Sequence, residues 1–165
     1  AFTARASWQA MPGVKFAGTF QYQDDITQSG GLDQSASATL FEAHANVERA
    51  VSDNGTFGLR ALYAQWNINA DQADLLGRDT QRGWYIEPSY KITLDDQNAV
   101  GFFARYSVWD NEAGDSIDSA YKQTNFGVNY WPHKNVVLKM DYQIDNFASE
   151  SKEDNRLNLG VGLYF

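Results

Sequence analysis

The chain has 165 residues, 43% of them apolar and 15% aromatic, and it contains no cysteine. This length suits one compact unit, so residues 1–165 are treated as a single segment. The lack of cysteine excludes disulfide scaffolds, zinc ribbons and thiol enzymes. With 21 acidic and 13 basic residues the formal net charge is −8, which argues against a nucleic-acid partner because phosphate contacts need a basic surface. No run of about 18 apolar residues is present, which excludes a transmembrane helix.

Apolar side chains recur at every second residue, which is the period of a β-strand, and no window carries a convincing helical stripe. The first two strands are predicted at residues 2–10 and 14–23. In the second, Phe16 lies on the apolar face and Lys15 on the opposite, polar face.

The next two strands, predicted at residues 39–49 and 56–68, alternate less cleanly. Leu62 and Ala64 make the second face of the fourth strand apolar as well. This pattern predicts either a β-bulge or a face that is less polar than in the other strands.

The remaining five strands alternate more cleanly. In the fifth, Trp84, Ile86 and Tyr90 share one face, whereas Glu87 and Lys91 share the other. These strands are predicted at residues 84–93, 100–109, 122–131, 136–145 and 157–165. The sequence therefore predicts an all-β, antiparallel protein of about nine strands.

The connections between these strands alternate between short and long. The short ones contain turn residues, and the Asn54-Gly55 pair predicts a hairpin turn with positive φ at the glycine. The long ones are acidic and polar. The short connections lie at 11–13, 52–55, 95–98 and 132–135, and the long ones at 24–37, 70–82, 110–120 and 146–155.

These features are typical of a transmembrane β-barrel in a bacterial outer membrane. A ten-residue strand rises about 33 Å, and when tilted by about 40° it covers an apolar band of about 25 Å. Tight turns at one end, longer loops at the other and aromatic residues near both strand ends fit the same class. A soluble sandwich or a lipocalin-like barrel, whose apolar residues point inward, is the alternative.

The last predicted strand resembles the C-terminal signature of bacterial outer-membrane proteins. That signature is an alternating apolar strand ending in an aromatic residue, and the barrel-assembly machinery reads it. Its matching positions here are Leu159, Val161, Leu163 and Phe165. The resemblance implies localisation in the outer membrane of a Gram-negative bacterium, in contact with lipid and lipopolysaccharide.

Residues 126–143, which read FGVNYWPHKNVVLKMDYQ, resemble the penultimate hairpin of general and phosphate-selective-type porins. The resemblance covers about the last 45 residues and implies a homotrimer of barrels with 16–18 strands. Nine strands cannot close a barrel with both termini on the short-turn side. We therefore expect the C-terminal part of a longer porin. The alternative is a small, complete eight-stranded barrel in which residues 1–12 form a plug or a linker, or are miscounted as a strand.

If the apolar faces meet lipid, the opposite faces line a channel. The chain places seven basic and five acidic residues on those faces, which predicts a modest preference for anions. Alternatively, opposite charges on neighbouring strands simply pair. The candidate pore-lining residues are Arg5, Lys15, Glu42, Arg60, Glu87, Lys91, Arg105, Lys139, Asp141 and Arg156, with Glu48 and Asp145 completing the count.

No catalytic chemistry is predicted. His44 has no serine at a recognisable spacing, and the acidic cluster from Asp110 to Asp118 lacks the ligand order of a calcium-binding loop. We therefore expect no enzyme activity, cofactor or metal. The function predicted is passive diffusion of small hydrophilic solutes through a water-filled channel. The alternative is a small closed outer-membrane barrel that acts as a structural anchor, an adhesin or a receptor without conductance.

Overall fold

A computed structural model describes residues 1–27, 35–147 and 154–164. It contains nine strands and one short helix. In chain order these are β1 (Phe2–Met11), β2 (Val14–Gln23), β3 (Ser37–Ala50), β4 (Gly55–Asn69), α1 (Asp71–Leu75), β5 (Thr80–Thr93), β6 (Ala99–Asp110), β7 (Tyr121–His133), β8 (Val136–Phe147) and β9 (Asp154–Leu163).

The nine strands form one antiparallel sheet in which every strand pairs with its neighbour along the chain. Within the described residues, β1 and β9 each pair on one side only, so the sheet has two free edges. The prediction of nine antiparallel strands is confirmed.

Residues 2–11 form β1 and pair with β2 along nearly their whole length, from Phe2 opposite Tyr22 to Met11 opposite Val14. The alternative in which residues 1–12 form a plug or linker beside eight strands is therefore wrong. Polar and apolar residues alternate in this segment as in the others, and this alternation is what places it in the sheet.

Several strands extend beyond their predicted limits at the long-loop end. β5 begins at Thr80 rather than at the predicted Trp84. The prediction began too late because Thr80 and Arg82 are polar, although they lie on the otherwise apolar face. They pair with Asn67 and Gln65 of β4, which are polar as well. The apolar pattern ends before the hydrogen-bonded ladder does. Phe165, the last residue of the predicted ninth strand, lies outside the described residues.

No bulge occurs around Leu62. The register runs unbroken from β3 through β4 to β5, with Leu62 opposite His44 on one side and Tyr85 on the other. The fourth strand thus has a less polar second face, which was the other predicted possibility. Irregular register occurs instead between Gln9 and Met11 and between Tyr130 and His133, next to short turns.

The prediction of a positive φ at Gly55 was wrong. Gly55 starts β4 in an extended conformation, and its carbonyl accepts a hydrogen bond from Val51 N at 2.9 Å. A Cβ atom there would meet the Tyr90 hydroxyl and Ser52 Oγ, so a larger residue would require these two side chains to shift. Positive φ occurs at Gly13 (76°), in the β1–β2 turn, and at Gly77 (66°).

The long connection between β4 and β5 holds the five-residue helix α1, which the strand pattern did not predict. Gly77 follows it in the left-handed conformation that glycine tolerates best. No helix in the described part of the chain is both long enough and apolar enough to cross a membrane.

The sheet has two faces of opposite character, and its polarity is inverted relative to a soluble protein. Large side chains on the apolar face are exposed, for example Phe102 at 51% and Leu159 at 74%. The buried positions include Glu87 and Asp145 on the polar face, at 8% and 4%. Among the described residues, no large side chain is fully buried, so the sheet has no apolar core of its own.

Candidate functional site: the polar face of the sheet

All ten candidate pore-lining residues lie on one face of the sheet, here called the polar face. Residues that stand directly opposite each other in an antiparallel pair project to the same side, so the register fixes this assignment. For example, Arg5 stands opposite Thr19, and Thr19 stands opposite Glu42, so all three project to the same side. The complete set is Arg5, Lys15, Glu42, Arg60, Glu87, Lys91, Arg105, Lys139, Asp141 and Arg156.

A continuous line of hydrophilic residues crosses all nine strands on this face, and we call it the polar row. Each member stands opposite the next in the register, except that Glu87 and Arg105 are joined by their side chains. The polar row consists of Gln9, Lys15, Asn46, Arg60, Glu87, Arg105, Asn125, Gln143 and Arg156. Four cations and one carboxylate give this row a positive charge.

Glu87 is the centre of the strongest charge cluster. Arg105 donates to Glu87 Oε2 from Nε at 2.7 Å and from Nη2 at 2.6 Å, and Arg60 Nη1 lies 3.6 Å from Oε1. Arg105 also stacks over the ring of Tyr85 at 4.4 Å. The buried carboxylate therefore joins three neighbouring strands, and the two guanidinium groups leave the cluster with one net positive charge.

A second buried carboxylate, Asp145, is satisfied by amides and one arginine. Gln123 and Gln143 each donate an amide hydrogen bond at 2.8 Å, and Arg156 Nη2 approaches Oδ2 at 3.2 Å. Arg156 also pairs with Asp154 at 2.5 Å. This cluster joins β7, β8 and β9, and its two carboxylates and one arginine leave it with one net negative charge.

His44 takes part in a third cluster, which the sequence did not reveal. Arg5 Nη2 lies 3.2 Å from His44 Nε2, and Glu42 Oε1 lies 3.0 Å from His44 Nδ1. Because a guanidinium can only donate, Nε2 accepts and Nδ1 carries the proton that Glu42 accepts. The sequence placed His44 and Glu42 on one face, but only the register brings Arg5, from β1, to the same point.

Three lysines on the polar face have no carboxylate partner among the described residues. Lys91 Nζ lies over the ring of Trp131, 4.7 Å from its centroid. Lys15 and Lys139 are exposed and form no ion pair within 4 Å in the described part of the chain. The predicted pairing of opposite charges thus occurs for Arg60, Arg105 and Arg156 but leaves the lysines available.

Aromatic rings pack against glycines on this face, a feature missed in the sequence. A Cβ atom on Gly127 would strike the Phe103 ring, and one on Gly101 would lie 2.9 Å from Cζ3 of Trp131. Phe103 stands directly opposite Gly127, whereas Trp131 reaches diagonally across to Gly101. Because the pairs belong to different strands, their meeting depends on a register that strand patterns do not supply.

These groups border an open cavity of about 400 Å³ on the sheet. Residues from six consecutive strands, β3 to β8, line it. Its charged lining residues are Glu48, Arg60, Glu87, Lys91, Lys139 and Asp141, and its aromatic members are Tyr90, Phe102, Phe103 and Trp131.

Aromatic residues border the apolar face at both ends. Near the short turns, Trp8 stacks on Phe16 with ring centroids 5.9 Å apart. Near the long loops, Trp84 meets Tyr106 edge-on at 5.6 Å. The residues predicted as an assembly signal, Leu159, Val161 and Leu163, are on this face and exposed by 60–74%, while Phe165 lies outside the described residues.

Beyond the aromatic border the apolar face becomes polar. Tyr63 donates to Gln65 at 2.6 Å, and Gln65 donates to Asn67 at 2.8 Å along β4. The apolar band therefore ends at a defined height on the sheet.

The acidic long loop after β6 uses its carboxylates for internal hydrogen bonds. Asp110 accepts from Ser119 Oγ at 2.6 Å and from Glu112 N at 3.0 Å, and Glu112 pairs with Arg78 at 2.7 Å. Asp115 and Asp118 each accept from a backbone N–H two residues further along. These contacts connect the loop to itself and to the β4–β5 connection.

Comparisons with known proteins give one weak relative. No family model matches the chain, and no solved structure matches it. The chain is similar to an uncharacterized protein of Aquifex aeolicus (strain VF5), with 31% identity over 84 residues. That alignment covers 45% of this chain and 18% of the relative, so the chain matches only a small part of that protein.

Proposed function

We propose that this chain forms part of an outer-membrane porin, a water-filled β-barrel through which small hydrophilic solutes diffuse. The observation that carries the proposal is the inverted polarity of the sheet. Its apolar face exposes Phe102, Leu138 and Leu159, whereas its polar face buries Glu87 and Asp145. In water this arrangement would leave a large apolar patch unburied, and a bilayer is the environment that would cover it.

The free edges of the sheet support a closed barrel. Unpaired backbone N–H and C=O groups cost several kcal/mol each in hydrocarbon, so β1 and β9 must pair with something if the sheet spans a membrane. Nine strands are an odd number, whereas bacterial barrels of this kind have even numbers. A barrel of 16–18 strands, to which this chain contributes nine, meets both requirements.

Strand length and aromatic position support the same orientation. The strands have 10 to 15 residues, which correspond to about 33–50 Å and allow tilted crossing of the membrane. The borders formed by Trp8 and Phe16 at one end, and by Trp84 and Tyr106 at the other, match the aromatic girdles of such barrels. The long acidic loops then face the exterior.

A preference for anions follows from the charges that stay unpaired on the polar face. Lys15, Lys91 and Lys139 lack carboxylate partners in the described part of the chain, and the Glu87 cluster carries one further positive charge. Against these four charges stand Glu48 and Asp141, which form no ion pair among the described residues, and one net negative charge in the Asp145 cluster. The excess among these groups is a single positive charge, so the proposed preference is modest. Fixed charges along a hydrated channel set its selectivity. Solutes cross by diffusion in this proposal, with no bond chemistry and no cofactor.

The resemblance in the last 45 residues supplies the proposed partners. These are outer-membrane lipid and lipopolysaccharide around the apolar face, the barrel-assembly machinery at the exposed strand containing Leu159, Val161 and Leu163, and two further copies in a homotrimer. A barrel without conductance, acting as an anchor or a receptor, is the second candidate. The charge clusters that join β4 to β6 and β7 to β9 favour it, since such clusters can fill a narrow interior.

Conductance of the intact protein in planar lipid bilayers tests the proposal. A porin gives stepwise, long-lived increases in conductance. Under a salt gradient, the sign of the reversal potential should show that anions permeate more readily than cations. Replacing Lys15, Lys91 and Lys139 together by glutamate should move the reversal potential toward cations, whereas replacement by arginine should leave it in place. A protein that inserts into the bilayer and conducts nothing would support the second candidate, and one that stays in buffer without detergent would exclude both.

A further inference from the structure

Two opposite charges lie side by side on β8 without pairing. Lys139 and Asp141 are two residues apart, so both project from the polar face, separated by about 7 Å along the strand. No ion pair within 4 Å joins them in the described part of the chain. Asp141 accepts one hydrogen bond, from Asn158 Nδ2 at 2.9 Å, which leaves capacity on its other oxygen.

The neighbouring strand β9 leaves the space beside this pair open, whereas the Phe103 ring occupies the β7 side. Gly127 of β7 stands opposite Asp141, and Gly160 of β9 stands opposite Lys139. A Cβ atom at Gly160 would have Lys139 Cβ as its nearest neighbour at 3.8 Å, an ordinary contact, so nothing crowds the site from that side. A small molecule can therefore approach both charges at once.

An apolar surface lies next to the pair. The Phe103 ring covers Gly127, which stands opposite Asp141, and Phe103 and Asp141 both line the cavity. Asn129 stands opposite Lys139 and adds an amide beside the ammonium group. The cavity thus offers a cation, an anion and a flat apolar surface within neighbouring positions of β6, β7 and β8.

We propose that this site binds zwitterionic amino acids with an apolar side chain. The α-carboxylate faces Lys139, the α-ammonium group faces Asp141, and the side chain lies on the Phe103 ring. The inference rests on the proposed channel and names the solute class that this part of it recognises. Binding is weak, since a channel site must release its solute for transport to continue.

The charge of the cavity lining favours a zwitterion over a simple anion. Three cations and three carboxylates line it, so its net charge is zero. These are Arg60, Lys91, Lys139, Glu48, Glu87 and Asp141. A ligand with only a carboxylate pairs with Lys139 but leaves Asp141 without a partner. A ligand with only an amine pairs with Asp141 but leaves Lys139 without a partner.

Equilibrium dialysis of the intact protein in detergent, with L-phenylalanine as the probe, measures this binding independently of conductance. 3-Phenylpropionate lacks the amine, phenethylamine lacks the carboxylate, and glycine lacks the ring. L-Phenylalanine should bind at least about tenfold more tightly than each of the three, because each omits one contact.

Two isosteric or near-isosteric variants assign the contacts. Asp141→Asn keeps the hydrogen bond from Asn158, and it should weaken L-phenylalanine about tenfold while strengthening 3-phenylpropionate. Lys139→Met should weaken L-phenylalanine similarly while strengthening phenethylamine. Lys15→Met removes a lysine of the same face that does not line the cavity, and it should change none of these affinities.

The outcomes separate this inference from the proposed function. Open channels without preferential binding of L-phenylalanine overturn the inference and leave the porin intact. Equal binding of L-phenylalanine and 3-phenylpropionate, or a loss of binding in Lys15→Met equal to that in Lys139→Met, also overturns it. Preferential binding by a protein without conductance supports the site and contradicts the porin.

Discussion

At the scale of single residues, the polar face is organised by carboxylates that each satisfy several donors. Glu87 and Asp145 are the two buried examples, and each links side chains of three neighbouring strands, its own included. Burying a carboxylate is costly unless it is paired and hydrogen-bonded, so these contacts are needed for the face to form. Sequence patterns placed the charges on the correct face but did not show which of them pair.

Removing the Glu87 charge should have two measurable effects. Glu87→Gln keeps the shape but leaves Arg60 and Arg105 facing each other without their common partner. We expect the free energy of unfolding in lipid vesicles to fall by about 2 kcal/mol, a value reduced for the partial exposure of the arginines. The reversal potential should move further toward anions. Lys91→Gln, which removes a charge without a carboxylate partner, should move it the opposite way; a shift in the same direction in both variants would contradict the assignment.

The β5–β6 turn offers a prediction on pH. Hydrogen bonds from the Asn98 side chain, and then from the backbone N–H groups of Gln97 and Asn98, lower the pKa of Asp95 below its ordinary value of 3.8. A lowered pKa means that the carboxylate stabilises the turn above the unfolded-state pKa and that this stabilisation is lost as the pH falls through the folded-state pKa. Asn98→Ala should raise the pKa of Asp95 toward 3.8.

An NMR titration of the Asp95 carboxyl carbon in both proteins measures this shift. Asp96, in the same turn, serves as the internal reference. An unchanged Asp95 pKa in Asn98→Ala would mean that the side-chain hydrogen bond does not contribute.

At the scale of elements, alternation located all nine strands, although β3 and β4 alternate less cleanly than the others. Their ends were less predictable. At the long-loop end of β4 and β5, Gln65, Asn67 and Arg82 are polar on the otherwise apolar face, so the pattern ends while backbone pairing continues. The register could not be predicted either, because it depends on how neighbouring strands align. The contacts between aromatic rings and glycines depend on the register, so they could not be predicted.

Those ring–glycine contacts give the prediction at this scale. Gly127→Ala places a Cβ against the Phe103 ring and should force the ring out into the proposed channel. We expect a loss of about 1–3 kcal/mol in unfolding free energy and a lower single-channel conductance. Gly160→Ala is the matched control, because its Cβ would make only an ordinary contact at 3.8 Å. Equal effects of the two substitutions would contradict the account of close packing at Gly127.

At the scale of the whole molecule, one sheet separates two environments. Its apolar face has aromatic borders and no covering layer in the described part of the chain, while its polar face carries the row from Gln9 to Arg156. Composition and alternation predicted this division, because both depend only on residue identity and spacing. How many strands would complete the proposed barrel, and which would pair with β1 and β9, depends on contacts beyond this sheet.

The orientation of the two faces in a membrane is the central claim, and β6 tests it most directly. The chain has no native cysteine, so single cysteines at positions 100 to 108 can be labelled one at a time in the intact protein in vesicles. Even positions, on the face of Phe102 and Tyr106, should be quenched by spin-labelled lipid and protected from a charged thiol reagent. Odd positions, on the face of Phe103 and Arg105, should react with the reagent and escape the lipid quencher. The reverse pattern, or equal reaction at all positions, would contradict the account.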